Sequence, residues 1–197
     1  MGPVTGSVTG SVTGIGHNGG PTLEAGFGWR KHCWTAARER LLPTLPIEVV
    51  RLRVKRAAEL GLDYRTYASV RAATGHDVVA FLFSSNALRM MPPVPVMPAA
   101  RAEKLARVRD CGRVALALRP LTVAAVAAAG DGVLDAVHRA PELLGAWRGS
   151  VEAIRAALGP VPGDRVILVG ETALEREWCA AGRLAGWIPA ERYFGAV

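Results

Sequence analysis

The stretch Val78-Val79-Ala80-Phe81-Leu82-Phe83 decides the fold class of this 197-residue chain. A continuous apolar run with β-branched and aromatic side chains is typical of a strand buried on both faces of a sheet. Two similar runs follow, at 113–118 and 165–169. Because helical stretches separate the runs, the pattern predicts a parallel sheet joined by right-handed crossovers. We therefore predict an α/β fold with a small, mainly parallel three-stranded sheet and flanking helices.

The segments between and after these runs carry helix periodicity or irregular composition. Residues 90–98 contain four prolines and are predicted to be an irregular connector. Residues 187–197 are interpreted as a tail with exposed aromatic side chains. Helices in this half are predicted at 99–110, 122–129, 132–137, 149–158 and 172–185.

The chain before the first strand divides into two parts. Residues 1–26, in which a Gly-Ser-Val-Thr unit repeats across 6–14, are expected to form a flexible leader, because they carry too little apolar surface to order the chain. Residues 27–75 are predicted to be a basic helical segment, and 76–197 a small α/β domain. The helices of the basic segment are predicted at 29–42, 47–60 and 64–74, the last capped by Asp63 and closed by Gly75.

Most of the excess positive charge lies in this basic segment. The whole chain carries a net charge of +7. Ten basic and four acidic residues fall between Trp29 and Arg71, a net +6 within 43 residues. A localised basic surface attracts polyanions through counterion release. Arginine outnumbers lysine 21 to 3, and a GC-rich genome also produces this composition without any bound nucleic acid.

Residues 53–72 resemble the helix-turn-helix of DNA-binding proteins. In that motif a small residue packs where the two helices meet, four positions before a glycine in the turn, and Ala57 and Gly61 stand at these places. Leu60 and Leu62 are the apolar residues on either side of the glycine. Tyr67 and Val70 match the apolar pair inside the second helix, although Tyr67 is bulkier than the usual β-branched side chain. The alternative interpretation is a simple helical hairpin packed on the sheet.

The resemblance implies that helix 64–74 enters the major groove. Its base-contact candidates are Tyr64, Arg65 and Ser69, of which Arg65 is the strongest reader of a base edge. Phosphate contacts are predicted from the surrounding cations. These cations are Arg51, Arg53, Lys55, Arg56 and Arg71.

A second candidate site lies at the carboxyl ends of the predicted strands, where open α/β sheets bind ligands. Hydroxyl groups beside helix N-termini, with a nearby guanidinium, are typical of phosphate recognition. The candidates for a small-ligand pocket are Ser84, Ser85, Asn86, Arg119, Glu171 and Thr172.

Residues 169–175 are similar to the C-terminal metal-binding loop of haloacid-dehalogenase-like phosphatases, and Ser84 would match their phosphate-binding hydroxyl. The strand ending in paired aspartates, which supplies that family's nucleophile and acid, is absent from the sequence. The resemblance therefore implies a non-catalytic or degenerate domain that binds a phosphorylated small molecule. We assign no catalytic residue, metal or cofactor, since the four histidines are isolated and no serine lies in a Gly-x-Ser-x-Gly elbow.

Three functions remain open at this point. The leading hypothesis is a nucleic-acid-binding, DNA-directed and regulatory protein that uses residues 29–74. The others are the phosphate-binding domain and a module that binds a protein partner or forms a homodimer. The longest apolar stretch, 114–130, is interrupted by Arg119-Pro120, and no secretory signal is visible, so we expect a cytoplasmic protein without membrane contact.

Overall fold

The structure is a computed structural model that describes residues 45–195. Five strands within this range form one parallel sheet in the order β3-β2-β1-β4-β5. The α/β class and the parallel sheet are therefore confirmed, but the prediction of three strands is wrong. The strands are β1 Ala80–Ser84, β2 Gly112–Ala117, β3 Ala136–Arg139, β4 Val166–Gly170 and β5 Gly186–Pro189.

The central strand β1 is the apolar run from which the fold was predicted. Leu82 pairs with Val114 of β2 on one side and with Leu168 of β4 on the other. All residues of β1 and β4 are buried. After β1 the chain adds β2 and β3 on one side of it and then returns to add β4 and β5 on the other. The crevice between the carboxyl ends of β1 and β4 is therefore the switch point at which open sheets of this kind bind ligands.

The two strands that were not predicted, β3 and β5, are the edge strands of the sheet. Both lie in segments for which another structure was predicted. β3 reads Ala-Val-His-Arg and occupies part of the predicted helix 132–137. β5 reads Gly-Trp-Ile-Pro and lies in the predicted tail. Each has four residues, one neighbouring strand and only partial burial, so neither needs a continuous apolar run.

The helices of the structure, within residues 45–195, match the predicted ones closely before the first strand and loosely after it. The predicted helix 172–185 is reduced to a short helix preceded by turns. The helices are α1 Ile47–Glu59, α2 Tyr64–Thr74, α3 Ala99–Ala106, α4 Val123–Ala129, α5 Trp147–Leu158, α6 Glu177–Gly182 and α7 Ala190–Phe194.

Helices cover both faces of the sheet. Phe81 and Phe83 point to one face, where they join residues of α1, α2, α3, α4 and α7 in a single core cluster. Leu82 points to the other face, against Ile154 of α5 and Trp178 of α6. Alternation along β1 thus separates the two clusters.

The aromatic residues near the end of the described chain are not all exposed, contrary to the prediction. Tyr193 is only 1% exposed. Its ring lies 5.2 Å from that of Phe81 and 5.5 Å from that of Phe83. α7 therefore contributes directly to the core.

The described residues from Pro46 onward belong to one compact unit. The hairpin of α1 and α2 belongs to this unit together with the sheet. The predicted leader 1–26 and the predicted helix 29–42 lie outside the described residues. Among the helices within 45–195, none has the length and hydropathy required to span a bilayer.

Candidate functional site

The hairpin, residues 47–74, is held together by small and apolar side chains at its turn. Ala57 is 1% exposed and lies in the core cluster with Leu60 and Leu62. Gly61 adopts a φ of +67°, a conformation that glycine reaches without a Cβ clash. A Cβ on Gly61 would also lie 3.2 Å from the Lys104 side chain of α3. The sequence features on which the helix-turn-helix resemblance rests therefore occupy the close contacts of the turn.

One side of α2 packs against the rest of the unit. Asp63 caps the helix by accepting a 2.8 Å hydrogen bond from the Thr66 backbone N–H. Tyr67 is 2% exposed and donates a 2.8 Å hydrogen bond from its hydroxyl to Asp77 Oδ1. Arg192 of α7 donates from Nη2 to Thr66 Oγ1 at 2.6 Å. These contacts anchor the first two turns of α2.

The opposite side of α2 is open. Arg65, Ser69, Ala72 and Ala73 are exposed, whereas Tyr64 is half-buried. At 100° per residue, Arg65, Ser69 and Ala72 fall within a narrow angular range on the helix surface. Ser69 donates its own hydroxyl hydrogen to the Thr66 carbonyl at 2.8 Å, so its oxygen is left to accept. The exposed strip of α2 thus carries one cation and otherwise small residues.

Two of the four predicted phosphate-contact residues on α1 have solvent-exposed side chains. The Arg51 side chain is 69% exposed and pairs with Glu48 at 2.8 Å. The Lys55 side chain is 77% exposed and lies 4.0 Å from Glu59. Exposed ion pairs of this kind are worth little, so both cations can exchange partners. Arg53 and, on α2, Arg71 are partly exposed.

Arg56 differs from the other cations, and the structure removes it from the predicted phosphate contacts. Its Nε donates to Asp77 Oδ2 at 3.0 Å. Its Nη1 donates to the Arg109 carbonyl at 3.0 Å and to Glu59 at 3.4 Å. Its Nη2 donates to the carbonyls of Val78 at 3.1 Å and Asp110 at 3.0 Å. Because a guanidinium has five N–H donors, none is left for a ligand.

Asp77 receives the two contacts that fix the hairpin. Burial opposes its ionisation, but the Tyr67 hydroxyl and the Arg56 guanidinium outweigh this effect and hold the pKa of Asp77 below its usual value. Asp77 therefore acts as the ionised centre of a structural network.

The second candidate site, at the carboxyl ends of β1 and β4, is built around one buried carboxylate. Glu175 is 0% exposed. Its Oε2 accepts from Ser84 Oγ at 2.8 Å and from the Glu171 backbone N–H at 2.7 Å. Its Oε1 accepts from Asn86 Nδ2 at 2.8 Å. The Thr172 backbone N–H lies 3.4 Å from Oε2. We call these five residues the strand-end cluster.

The strand-end cluster thus unites four of the six residues predicted for a small-ligand pocket. The other two lie elsewhere. Ser85 is buried and accepts a 3.1 Å hydrogen bond from the Leu118 backbone N–H, which joins β1 to the end of β2. Arg119 pairs with Glu142 at 3.0 Å beside a separate recess of about 270 Å³. The donors that would hold a phosphate are therefore already engaged by Glu175.

Two residues of this region were not predicted to be site residues. Glu175 ends the segment 169–175 that resembles a phosphatase loop, but it was not among the predicted pocket residues. Arg101 on α3 had none, because its helix reads Ala-Ala-Arg-Ala-Glu-Lys-Leu-Ala and a cation there fits a solvated face. In the structure Arg101 is 3% exposed, and its guanidinium stacks 4.5 Å from the centroid of the Phe194 ring.

Comparison of this chain with known proteins identifies no relative. No family of proteins matches this chain, and neither a curated protein nor a solved structure matches it.

Proposed function

We propose that this protein binds double-stranded DNA through the hairpin of α1 and α2. The observation that carries the proposal is the exposure of Arg65 and Ser69 on the side of α2 that faces away from the core. The same helix is anchored on its other side by Tyr67 and Thr66. A helix held in this way presents a fixed surface, as groove-reading helices do.

The exposed strip of α2 suits a helix that lies close to a duplex. Ala72 and Ala73 add no bulk beyond a methyl group, so the helix backbone could approach a groove. Arg65 is long enough to donate to a guanine edge, and the Ser69 oxygen could accept from a cytosine or adenine amino group. With one strong reader, we expect a modest preference between sequences.

The flanking cations would supply most of the affinity. Arg51, Arg53 and Lys55 lie on α1, and Arg71 lies on α2. Arg192 adds a 57% exposed side chain beside the N-terminus of α2. Phosphate contacts of this kind release counterions, so binding should weaken steeply as salt rises.

Fluorescence anisotropy with a labelled duplex tests the proposal. In about 50 mM salt, the double variant Arg51→Ala with Arg53→Ala should bind about tenfold more weakly than the wild type and should lower the salt slope by about 2. The matched control is Arg148→Ala with Arg155→Ala on α5, which removes the same charge from the opposite face of the sheet. Equal losses in the two double variants would indicate a general charge effect and would contradict the proposal.

A second candidate function, self-association through α1, is favoured by a specific observation. Ile47, Leu52 and Val54 are 61%, 68% and 47% exposed on this helix. Ile47 and Val54 are seven residues apart and share one face of α1, and neighbouring exposed apolar side chains are typical of protein interfaces rather than of phosphate-binding surfaces. Sedimentation velocity over a range of concentrations tests it, with Val54→Glu as the variant. A dimer that Val54→Glu dissociates supports self-association, and a monomer at every concentration removes it.

A further inference from the structure

Arg101 is a buried cation without a counter-charge in direct contact. Its side chain makes no hydrogen bond or ion pair with any residue of the range 45–195, and its Nη1 is buried without a partner. The Phe194 ring covers one face of the guanidinium, but stacking leaves the N–H groups at the edge unused. A buried, unpaired charge is strongly unfavourable. An anion that accepts hydrogen bonds from these N–H groups would offset this cost.

The surroundings of Arg101 place it at the same edge of the sheet as the strand-end cluster. Burial lowers the pKa of Arg101, the charge of Arg89 lowers it further, and the charge of Glu171 partly offsets both. Arg89 and Glu171 are themselves 3.7 Å apart between Nη2 and Oε1. Phe194 belongs to α7, which directly follows the carboxyl end of β5. Ligands of open parallel sheets bind at this edge.

The charge balance favours a singly charged ligand. The charges of Arg89 and Glu171 both act on Arg101, and Arg89 pairs with Glu171, so these three side chains sum to +1. A monocarboxylate brings this sum to zero, whereas a phosphate dianion leaves one unbalanced negative charge. A carboxylate also matches the planar edge of a guanidinium in a bidentate contact.

An apolar surface leads into the same helix. The connector between β1 and α3 exposes Met91, Val94 and Val96 at 56%, 72% and 67%. It ends at Pro98, the N-cap of α3, three residues before Arg101. Exposed apolar side chains on the connector that leads into this helix suit the apolar body of a ligand whose carboxylate head binds the unpaired cation.

We propose that Arg101 anchors a binding site for a small hydrophobic carboxylic acid, whose apolar body lies against the connector 91–96. The site is independent of the nucleic-acid proposal, because it uses none of the hairpin residues. It also differs from the phosphate pocket predicted at Ser84 and Asn86, whose donors Glu175 engages.

Thermal unfolding with hexanoate, acetate, hexanamide and inorganic phosphate as probes, at matched ionic strength, tests the proposal. Hexanoate should raise the Tm of the wild type by about 5 °C near saturation. Hexanamide, which has the same body without the charge, should give no comparable rise, and acetate a smaller one. A rise with phosphate alone, or no rise with any probe, would overturn the assignment.

Three variants complete the test. Arg101→Met should abolish the hexanoate effect and, because it removes an unpaired buried charge, should unfold at no lower temperature than the unliganded wild type. Glu171→Gln should bind hexanoate about two- to fivefold more tightly, since a repulsive carboxylate is lost. Val94→Ser should weaken hexanoate binding and leave acetate binding unchanged. If Arg101→Met fails to fold, Glu171→Gln and Val94→Ser still test the proposal. Unchanged hexanoate affinity in both of these variants would contradict it.

Discussion

Arg56 and Asp77 are joined by a 3.0 Å hydrogen bond from Nε to Oδ2, and this ion pair fixes the hairpin against the loops that precede β1 and β2. Arg56 lies on the same helix as Arg51 and Lys55, but only its side chain is mostly buried. One helix therefore carries two kinds of cation. Arg56 supports the structure, and the exposed pair is available to a ligand.

This division predicts different effects of removing each arginine. Arg56→Ala should destabilise the protein by about 2–3 kcal/mol, because Asp77 and three backbone carbonyls lose their donor. Arg51→Ala should change stability by no more than about 0.5 kcal/mol, since its pair with Glu48 is exposed. Urea unfolding followed by circular dichroism measures both. Similar losses in the two variants would show that Arg56 has no special structural role.

The Asp77 network also predicts an acid-sensitive component of stability. The pKa of Asp77 is lower in the folded state than in the unfolded chain. Its stabilising contribution is therefore present above the unfolded value of about 3.9 and is lost as the pH falls through the folded value. The difference in unfolding free energy between wild type and Asp77→Asn should be largest near pH 7 and should shrink below about pH 4. A difference that stays constant down to pH 2 would be inconsistent with an ionised Asp77.

Glu175 is expected to be essential for the stability of the strand-end cluster. Glu175→Ala leaves Ser84, Asn86 and the Glu171 backbone N–H without their acceptor and should cost about 2–4 kcal/mol. The control is Glu177→Ala, which removes an exposed carboxylate two residues away and should be nearly neutral. Thermal unfolding of both variants provides the measurement. A tolerant Glu175→Ala variant would mean that water replaces the carboxylate without loss.

The two described cysteines are expected to be unreactive. Burial raises the pKa of both Cys111 and Cys179 to about 12. Because the thiolate is the nucleophile, a Cys33→Ser variant should react with a disulfide reagent at pH 8 only slowly when native, and fully after denaturation. Rapid labelling of two thiols in the native variant would show that these side chains are more accessible than the structure indicates.

The parts of the fold that could be predicted from the sequence are those that a single segment determines by itself. The run 78–83 is buried on both faces, so its composition alone identifies a strand. Asp63 and Gly75 signal the ends of α2 through local backbone chemistry, and the structure has the cap and the positive φ at these positions. β3 and β5 form only because a neighbouring strand offers hydrogen bonds, and four partly buried residues leave no comparable signal.

The candidate sites, too, could be predicted only where a single segment determines them. Exposure of Arg51 and burial of Arg56 depend on loops 77–78 and 109–110, which are distant in sequence. The strand-end position of Ser84 and Asn86 follows from the end of β1, but their partner Glu175 is about 90 residues away. Arg101 has no local feature that distinguishes it from a surface arginine. Contacts between distant segments thus decide which polar residues remain available.

Duplex binding by the variant Arg65→Ala with Ser69→Ala tests the central proposal most directly, because both side chains are exposed on α2 and lie outside the core. We expect an unchanged unfolding temperature and an affinity about tenfold below that of the wild type in about 50 mM salt. Wild-type affinity in this variant, or no duplex binding by the wild-type protein under the same conditions, would contradict the assignment of the hairpin as a nucleic-acid interface.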